Sequence, residues 1–302
     1  MNTLNIQFTL FSAFYSPLII TMAGGFLKEE GLETNWSIAE PGTSAIKALL
    51  DGSADVIQTA PSQGICSAEE GKDPEVLHFA QVNEMDGFFV SSRKASGSSI
   101  ADFDWRSLEG AEVVMFASGQ PNVMFRYACD QAGIDFEKIK AITPGGAAAI
   151  DEAFRSGQGD FVQQQGPYPQ QLEADGVGHI VALCGPLIGS NAFSSLAARP
   201  QWLQSDQAKA FSRAYRRARK YLMEMPASDL ANLMNPYFVE AGQQVDASVL
   251  AKCIESYQKL GCWTTHPEIT HSAFESTVDI YMHSGGIDER CPYNKVCAPP
   301  PL

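Results

Sequence analysis

Positive charge is scarce in this 302-residue chain: 21 Lys and Arg stand against 35 Asp and Glu, a formal net charge of −14. A field of that sign repels phosphate backbones, so nucleic acid is not an expected partner. Long apolar runs are missing too. None approaches the roughly 18 residues of a membrane span, and the longest near the start, 15–26, is broken by Ser16, Pro17 and Thr21 and holds Gly24 and Gly25. Histidine is limited to His78, His179, His266, His271 and His283. The closest pair, His266 and His271, is five residues apart, which does not place both rings on one helix face as a zinc pair requires, so no metal is expected. G-x-G-x-x-G with a distal acid, a P-loop Lys and G-x-S-x-G do not occur, which argues against nucleotide cofactors and a serine nucleophile elbow. No cofactor is expected.

Seven cysteines (Cys66, Cys129, Cys184, Cys253, Cys262, Cys291, Cys297) are scattered through apolar contexts and fit reduced core thiols better than a disulfide framework. A Cys291–Cys297 bridge stays open. The first eight residues show no basic region or cleavage site and alternate polar and apolar as a strand does. Two compartments follow: the periplasm if this is a mature form with an added initiator Met, or the cytoplasm.

What is present is enough apolar sequence, 45% of the chain, for one large core or two smaller ones, together with an internal repeat. In the first half a helix ends at Gly31, a strand covers 34–38, Pro41-Gly42-Thr43-Ser44-Ala45 opens a helix, and Leu49-Leu50-Asp51-Gly52-Ser53-Ala54-Asp55 closes it before another strand. In the second half a helix ends at Gly133, a strand lies near 139–142, and Pro144-Gly145-Gly146-Ala147-Ala148 opens the next helix. That helix closes in Phe154-Arg155-Ser156-Gly157-Gln158-Gly159-Asp160 before another strand. A strand precedes each unit, over 4–9 and 111–116. Glycine suits the left-handed position after a helix, and small residues after Pro-Gly leave amides exposed at a helix start. Strands alternating with helices predict a parallel sheet in each half, with ligands bound beyond the carboxyl ends of the strands in a cleft between two lobes.

Segments 87–92 and 194–199 read as extended strands crossing between the lobes, which places lobe I at 1–88 and 195–302 and lobe II at 89–194. Beyond Arg199 the chain turns helical over 205–225, 245–260 and 271–283, and the tail reads as irregular. The first of these helices has apolar Ala208, Phe211, Tyr215, Ala218 and Leu222 at three- and four-residue steps. Its basic face, Arg213, Arg216, Arg217, Arg219 and Lys220, reads as solvated rather than as a docking surface.

Several of these segments resemble the NMT1/THI5-like family of type II periplasmic-binding-protein folds. The carriers are Gly25-Phe26-Leu27-Lys28-Glu29-Glu30-Gly31-Leu32, Ala48-Leu49-Leu50-Asp51-Gly52-Ser53-Ala54-Asp55, Ser107-Leu108-Glu109-Gly110-Ala111-Glu112-Val113 and Ala197-Ala198-Arg199-Pro200-Gln201-Trp202-Leu203. They occur in the family's order over about two hundred residues, and the resemblance covers nearly the whole chain. The resemblance implies an α/β fold of two lobes, each a mixed or parallel sheet flanked by helices. It also implies the solute-binding role of ABC importers for sulfonates, taurine, nitrate or thiamin pyrimidine precursors, with a permease and an ATPase as partners. The cysteine cluster of the family's pyrimidine synthases is missing, so those roles are not carried over. Cys66, in the position nearest to a desulfinase-like nucleophile, reads as an inert helix thiol.

Strand-to-helix turns supply the candidate ligand residues: Ser12, Tyr15, Thr43, Ser44, Pro61 and Ser62 from the first lobe, and Gln120, Asn122, Gln163, Gln165 and Tyr168 from the second. Glu84 and Asp86 come from the crossing segment. Plain helix caps at Ser12 and Thr43, a surface strand end at Gln163 and Gln165, and solvent-facing carboxylates at Glu84 and Asp86 are the bland alternatives. The inventory is neutral and polar without Arg or Lys. The expected ligand is therefore a small neutral or zwitterionic organic molecule or a nitrogen heterocycle, bound with lobe closure, and no residue is assigned to catalysis. The alternative is a cytoplasmic enzyme on the same scaffold, acting on a heteroaromatic or aromatic acid through Cys66, His78 or Glu84.

Overall fold

The computed structural model describes residues 2–40, 43, 45–69, 75–95 and 100–302, and the expected ligand residue Ser44 lies outside them. Among the described residues ten strands form two five-stranded sheets. One sheet contains β1 (Asn2–Phe8), β2 (Leu32–Ile38), β3 (Val56–Thr59), β4 (Leu77–Asn83) and β10 (Ser194–Ala198). The other contains β5 (Phe88–Ser92), β6 (Glu112–Val114), β7 (Lys140–Ile142), β8 (Phe161–Gln165) and β9 (His179–Leu183).

The strand orders, β2-β1-β3-β10-β4 and β7-β6-β8-β5-β9, are the same pattern twice. Each sheet is mixed. β1 runs parallel to β2 and β3, and β10 runs against both β3 and β4; β6 runs parallel to β7 and β8, and β5 runs against both β8 and β9. The expectation of a parallel sheet in each half is corrected at that fourth position. The two segments expected to be crossing linkers are themselves sheet strands, buried along their whole length as Phe-Phe-Val-Ser-Ser and Ser-Ser-Leu-Ala-Ala. Their apolar or small residues on both faces suit a strand covered on both sides.

The chain divides into two compact units, residues up to Glu84 with Ser190–Leu302, and Met85–Gly189. The boundaries expected from sequence fall one residue inside β5 and β10. A strand cannot leave its ladder after one residue without abandoning backbone hydrogen bonds, so the chain changes unit in the irregular residues ahead of each strand.

Each unit repeats the same local signals. Gly31 and Gly133 follow helices with φ of +75° and +71°, a conformation that favours glycine, and their amides close the last turns onto the Lys28 and Asp130 carbonyls. The helix expected at Thr43 and Ser44 starts later, at Ile46–Leu50 with Ala45 preceding it. Alanine, leucine and isoleucine of this helix pack on β3 and β10 around Leu49 and Ile57. In the second unit Val114, Ile150, Phe154, Val162 and Leu172 form the corresponding core.

The helix Asp206–Glu224 buries Ala208, Phe211, Tyr215, Ala218 and Leu222 as its spacing predicts. Its basic face is largely paired rather than simply solvated: Arg213 and Arg217 hold Glu30, Arg217 also meets Glu29, and Arg216 meets Glu268. Arg219 turns inward and is fully buried. Ala227–Glu240, a helix not expected from the sequence, Ala247–Leu260 and His271–His283 follow that helix in the first unit, and the tail is more ordered than expected. The short helix Tyr293–Val296 leads into Cys297, which bridges His78 of β4, and the Ala298 amide donates to the His78 carbonyl. Among the described residues, which include all seven cysteines, no disulfide is formed. No described helix is long and apolar enough to cross a membrane.

In the second unit the short helix Gly185–Ile188 starts against the backbone of Met85 and Asp86. A Cβ at Gly185 would stand 2.3 Å from the Asp86 carbonyl oxygen and 2.9 Å from Met85 Cγ. Backbone cannot yield as a side-chain tip can, so Gly185→Ala is expected to cost roughly 2–3 kcal/mol. Urea denaturation reads this directly, and a cost below about 0.5 kcal/mol, the range of ordinary surface substitutions, would contradict that close approach.

Candidate functional site

In the first unit the parallel strands β1, β2, β3 and β4 end on one edge of the sheet, and β10, running the other way, begins there. β1 leads to Ser12, whose hydroxyl accepts from the Phe14 amide at 3.2 Å. The cap reading thus holds for Ser12, and Tyr15 is packed against Phe14 at 5% exposure. β3 ends at Thr59, followed by buried Pro61 and Ser62 at the start of the helix Pro61–Glu69. The Ser62 hydroxyl pairs with the buried Tyr281 hydroxyl. Thr43 is exposed and donates to the Glu40 carbonyl at 2.6 Å, a local turn rather than a helix start. β4 ends at Asn83, opposite Ser194 of β10, and the Asn83 amide donates to the Ser194 hydroxyl at 2.8 Å. Thr59 Oγ1 and Asn83 Oδ1 are buried, and among the described residues neither has a hydrogen-bond partner.

The two carboxylates expected to meet a ligand are engaged elsewhere. Glu84 accepts from Gln81 Nε2 at 2.8 Å and from the Ser190 hydroxyl at 3.1 Å, and lies 3.3 Å from His266 Nε2. The Asn191 amide also donates to its carbonyl. Glu84 therefore ties together the two points where the chain leaves and re-enters the first unit. Asp86, in the second unit, is fully buried, and one oxygen accepts from the Phe88 amide at 2.7 Å. Burial pushes its carboxyl up to about 7, against a lowering contribution from that hydrogen bond.

The second unit gathers more of the expected residues. β6 runs through Met115 into Phe116, and after Gly119 the helix Gln120–Gln131 begins. The Asn122 side-chain amide reaches back to the Phe116 carbonyl at 3.0 Å. Gln163, fully buried on β8, donates to the Pro121 carbonyl in the first turn of that helix at 3.3 Å. Gln165 closes β8 opposite Phe88, whose ring lies edge-on to Phe116 at 6.0 Å. Gln120 is the first residue of the helix, and Tyr168, at the start of Tyr168–Ala174, has its hydroxyl pKa raised by burial and then by the charge of Asp151. Alternation along β8 sends Gln164 to the other face, where it donates to Asp151 at 3.2 Å. The structure thus gathers Gln120, Asn122, Gln163 and Gln165 around the carboxyl ends of β6 and β8.

Phe88, Phe116 and Thr59 also stand at these strand ends and were not among the candidates read from sequence. Their position at strand ends was the available signal; the cross-strand partners that expose it were not. Of the three groups named for chemistry, Cys66 lies within the helix Pro61–Glu69, and His78 and Glu84 are both engaged in internal hydrogen bonds. His78 is fully buried, bonded through Nδ1 to the Ser195 hydroxyl at 2.7 Å, with its ring beside Gly64. Burial alone drives its pKa down to about 3, so it is neutral at pH 7. Glu84 has a partner on each oxygen. Among the described residues no three His, Cys, Asp or Glu side chains converge as metal ligands.

The chain is 28% identical over 289 residues to the Bacillus subtilis (strain 168) protein named "Putative binding protein YtlA", covering 94% of this chain and 84% of that protein. A ligand-binding component of an ABC-type import system from Staphylococcus aureus superposes with a TM-score of 0.76 at 14% identity, over 99% of this chain and 97% of that one. The alkanesulfonate-binding protein SsuA from Xanthomonas axonopodis pv. citri does so with a TM-score of 0.71 at 15% identity, over 98% of each chain. At such identity these two structures speak for the fold alone, that of type II periplasmic binding proteins. A profile of the NMT1-like family matches residues 6–234, three quarters of the length, and this chain belongs to that family.

Proposed function

We propose that this protein is the non-catalytic, solute-binding component of an ABC importer, taking a small polar organic ligand, a nitrogen heterocycle or a zwitterion, at the carboxyl ends of its strands. A permease and an ATPase are its partners, and the periplasmic side of the membrane is its place of work. The observation that carries this reading is the lining: carboxamides, hydroxyls and aromatic edges gather at the strand ends, with no Arg or Lys in those turns. The binding roles that its relatives are named for support it. A helix start contributes only about 0.3–1 kcal/mol to holding an anion, less than a bidentate arginine would, so a strongly anionic sulfonate is the weaker candidate.

A thermal-shift screen over sulfonates, pyrimidines, amino-acid derivatives and nitrate tests the reading. A ligand at 100 times its Kd adds about 2.7 kcal/mol, which raises Tm by roughly 5–10 °C in a chain of this size. Turnover of a heteroaromatic acid, with no solute stabilising the protein, would replace the transport reading by the enzymatic one. Submicromolar calorimetric binding of a simple alkanesulfonate would keep transport and reverse the ligand class.

A further inference from the structure

The chain enters the second unit at Met85 and leaves it at Gly189, and the two segments meet at Asp86. The Asp86 side chain is fully buried. One oxygen accepts from the Phe88 amide at 2.7 Å, and among the described residues the buried Oδ2 meets no donor. Gly185 packs directly on the Asp86 carbonyl, and the Cys184 amide donates to the Phe88 carbonyl at 3.0 Å. Beyond Cys184 the exit segment is lightly held. The short helix Gly185–Ile188 closes on the Cys184 and Gly185 carbonyls, Pro186 is exposed, and Leu187, Ile188 and Gly189 are half-buried. The titratable groups facing Asp86 are the buried thiol of Cys184 and, behind it, Cys129 of the helix Gln120–Gln131. Strand β5 and the helix Gly185–Ile188 carry no charged residue, and Glu84, two positions earlier, is held by Gln81, Ser190 and His266.

We infer that protonated Asp86 latches the exit segment Cys184–Gly189 to the entry segment Met85–Phe88, and that loss of the proton lets the exit segment open while the rest of the unit stays folded. A carboxylate buried with one hydrogen bond and no counter-ion is costly, and water removes that cost. The easiest route to water is through the segment with the fewest buried contacts, here the short helix rather than the sheet. Burial raises the carboxyl to about 7 in the closed form, which sets the direction with pH. The latch is complete below the ordinary carboxyl range, weakens as pH climbs, and is lost by about pH 7, with no further change above it. The inference is independent of which solute the protein carries.

Labelling of the native full chain with methyl methanethiosulfonate from about pH 5 to about pH 8.5, read thiol by thiol by peptide mass spectrometry, tests the latch. Asp86→Asn is labelled alongside at every pH, which cancels the reagent's own pH dependence. The rate at Cys184 in the wild type, relative to the variant, is expected to rise about tenfold per pH unit up to about pH 7 and then to level off. In the same wild-type samples near neutral pH, Cys129 is expected to lag behind Cys184 by roughly tenfold or more. A Cys184 ratio that does not change with pH would overturn the inference, and so would a Cys184 that stays unlabelled throughout. Equal rates at Cys184 and Cys129 would overturn it too, because the unit would then be opening as a whole. If circular dichroism shows that Asp86→Asn does not fold, an unstructured cysteine peptide takes its place as the reference for the wild type, with the same expected slope and the same contrary outcomes.

Discussion

Asp86→Asn is expected to stabilise the protein by on the order of 4 kcal/mol above pH 7 and to leave its stability near pH 4 almost unchanged. The folded state holds the Asp86 carboxyl at about 7, against an ordinary 3.8, because the side chain is fully buried. A group whose folded pKa is raised favours folding below its unfolded pKa, and that advantage is lost as pH climbs through the folded value. Asparagine keeps an oxygen for the Phe88 amide and carries no charge to bury.

His78 works in the opposite direction. Its pKa is lowered from 6.5 to about 3, so its favourable contribution is present above the unfolded value and is lost as pH falls towards the folded one. In the wild type the two losses overlap between about pH 4 and 7 and nearly cancel, and from these two groups stability is almost flat across that range. Asp86→Asn unmasks the histidine: the variant is expected to lose roughly 3 kcal/mol between pH 7 and 4 while the wild type changes little. Urea denaturation at half-unit pH steps gives both curves, and parallel curves would show that Asp86 is ionised or solvated in the folded protein.

Arg219→Met is expected to cost about 3–5 kcal/mol. The guanidinium is fully buried and donates to the carbonyls of Thr264, Gln81 and Val82 and to the hydroxyls of Tyr215 and Thr264, at 2.7 to 3.2 Å. None of these partners is charged; the cation is held by oriented dipoles that join the helix Asp206–Glu224 to β4 and to the loop at Thr264. Methionine fills much of the volume but leaves main-chain carbonyls buried without donors. Arg213→Met on the same helix removes an exposed pair with Glu30 and should cost about 1 kcal/mol or less. At roughly 2–4 °C per kcal/mol for a domain-sized chain, the two variants should differ in Tm by several degrees. Equal melting points would place Arg219 in solvent.

The duplicated order of helix, glycine and strand was legible because each signal is local. Gly31 and Gly133 stand after helices for a reason contained within a few residues of chain, and the apolar spacing of 208–222 states which face of that helix is buried. The family likeness was legible for the same reason, as short segments in a fixed order.

Pairing was not. The segments 88–92 and 194–198 look like linkers because nothing within them says which sheet they join; that is decided by β8 and β9 for one and by β3 and β4 for the other, all distant or displaced in sequence. The character of a polar residue at a strand end was hidden in the same way. Sequence marked Glu84, Asp86, Asn122 and Gln163 as equivalent candidates. Tertiary structure then gave Glu84 three internal partners, buried Asp86 completely, and tied the side-chain amides of Asn122 and Gln163 to main-chain carbonyls. Propensity and periodicity act over a few residues and reached the amino-acid string; hydrogen-bond partnership and burial depend on groups brought together from far along the chain, and only the folded backbone assigned them.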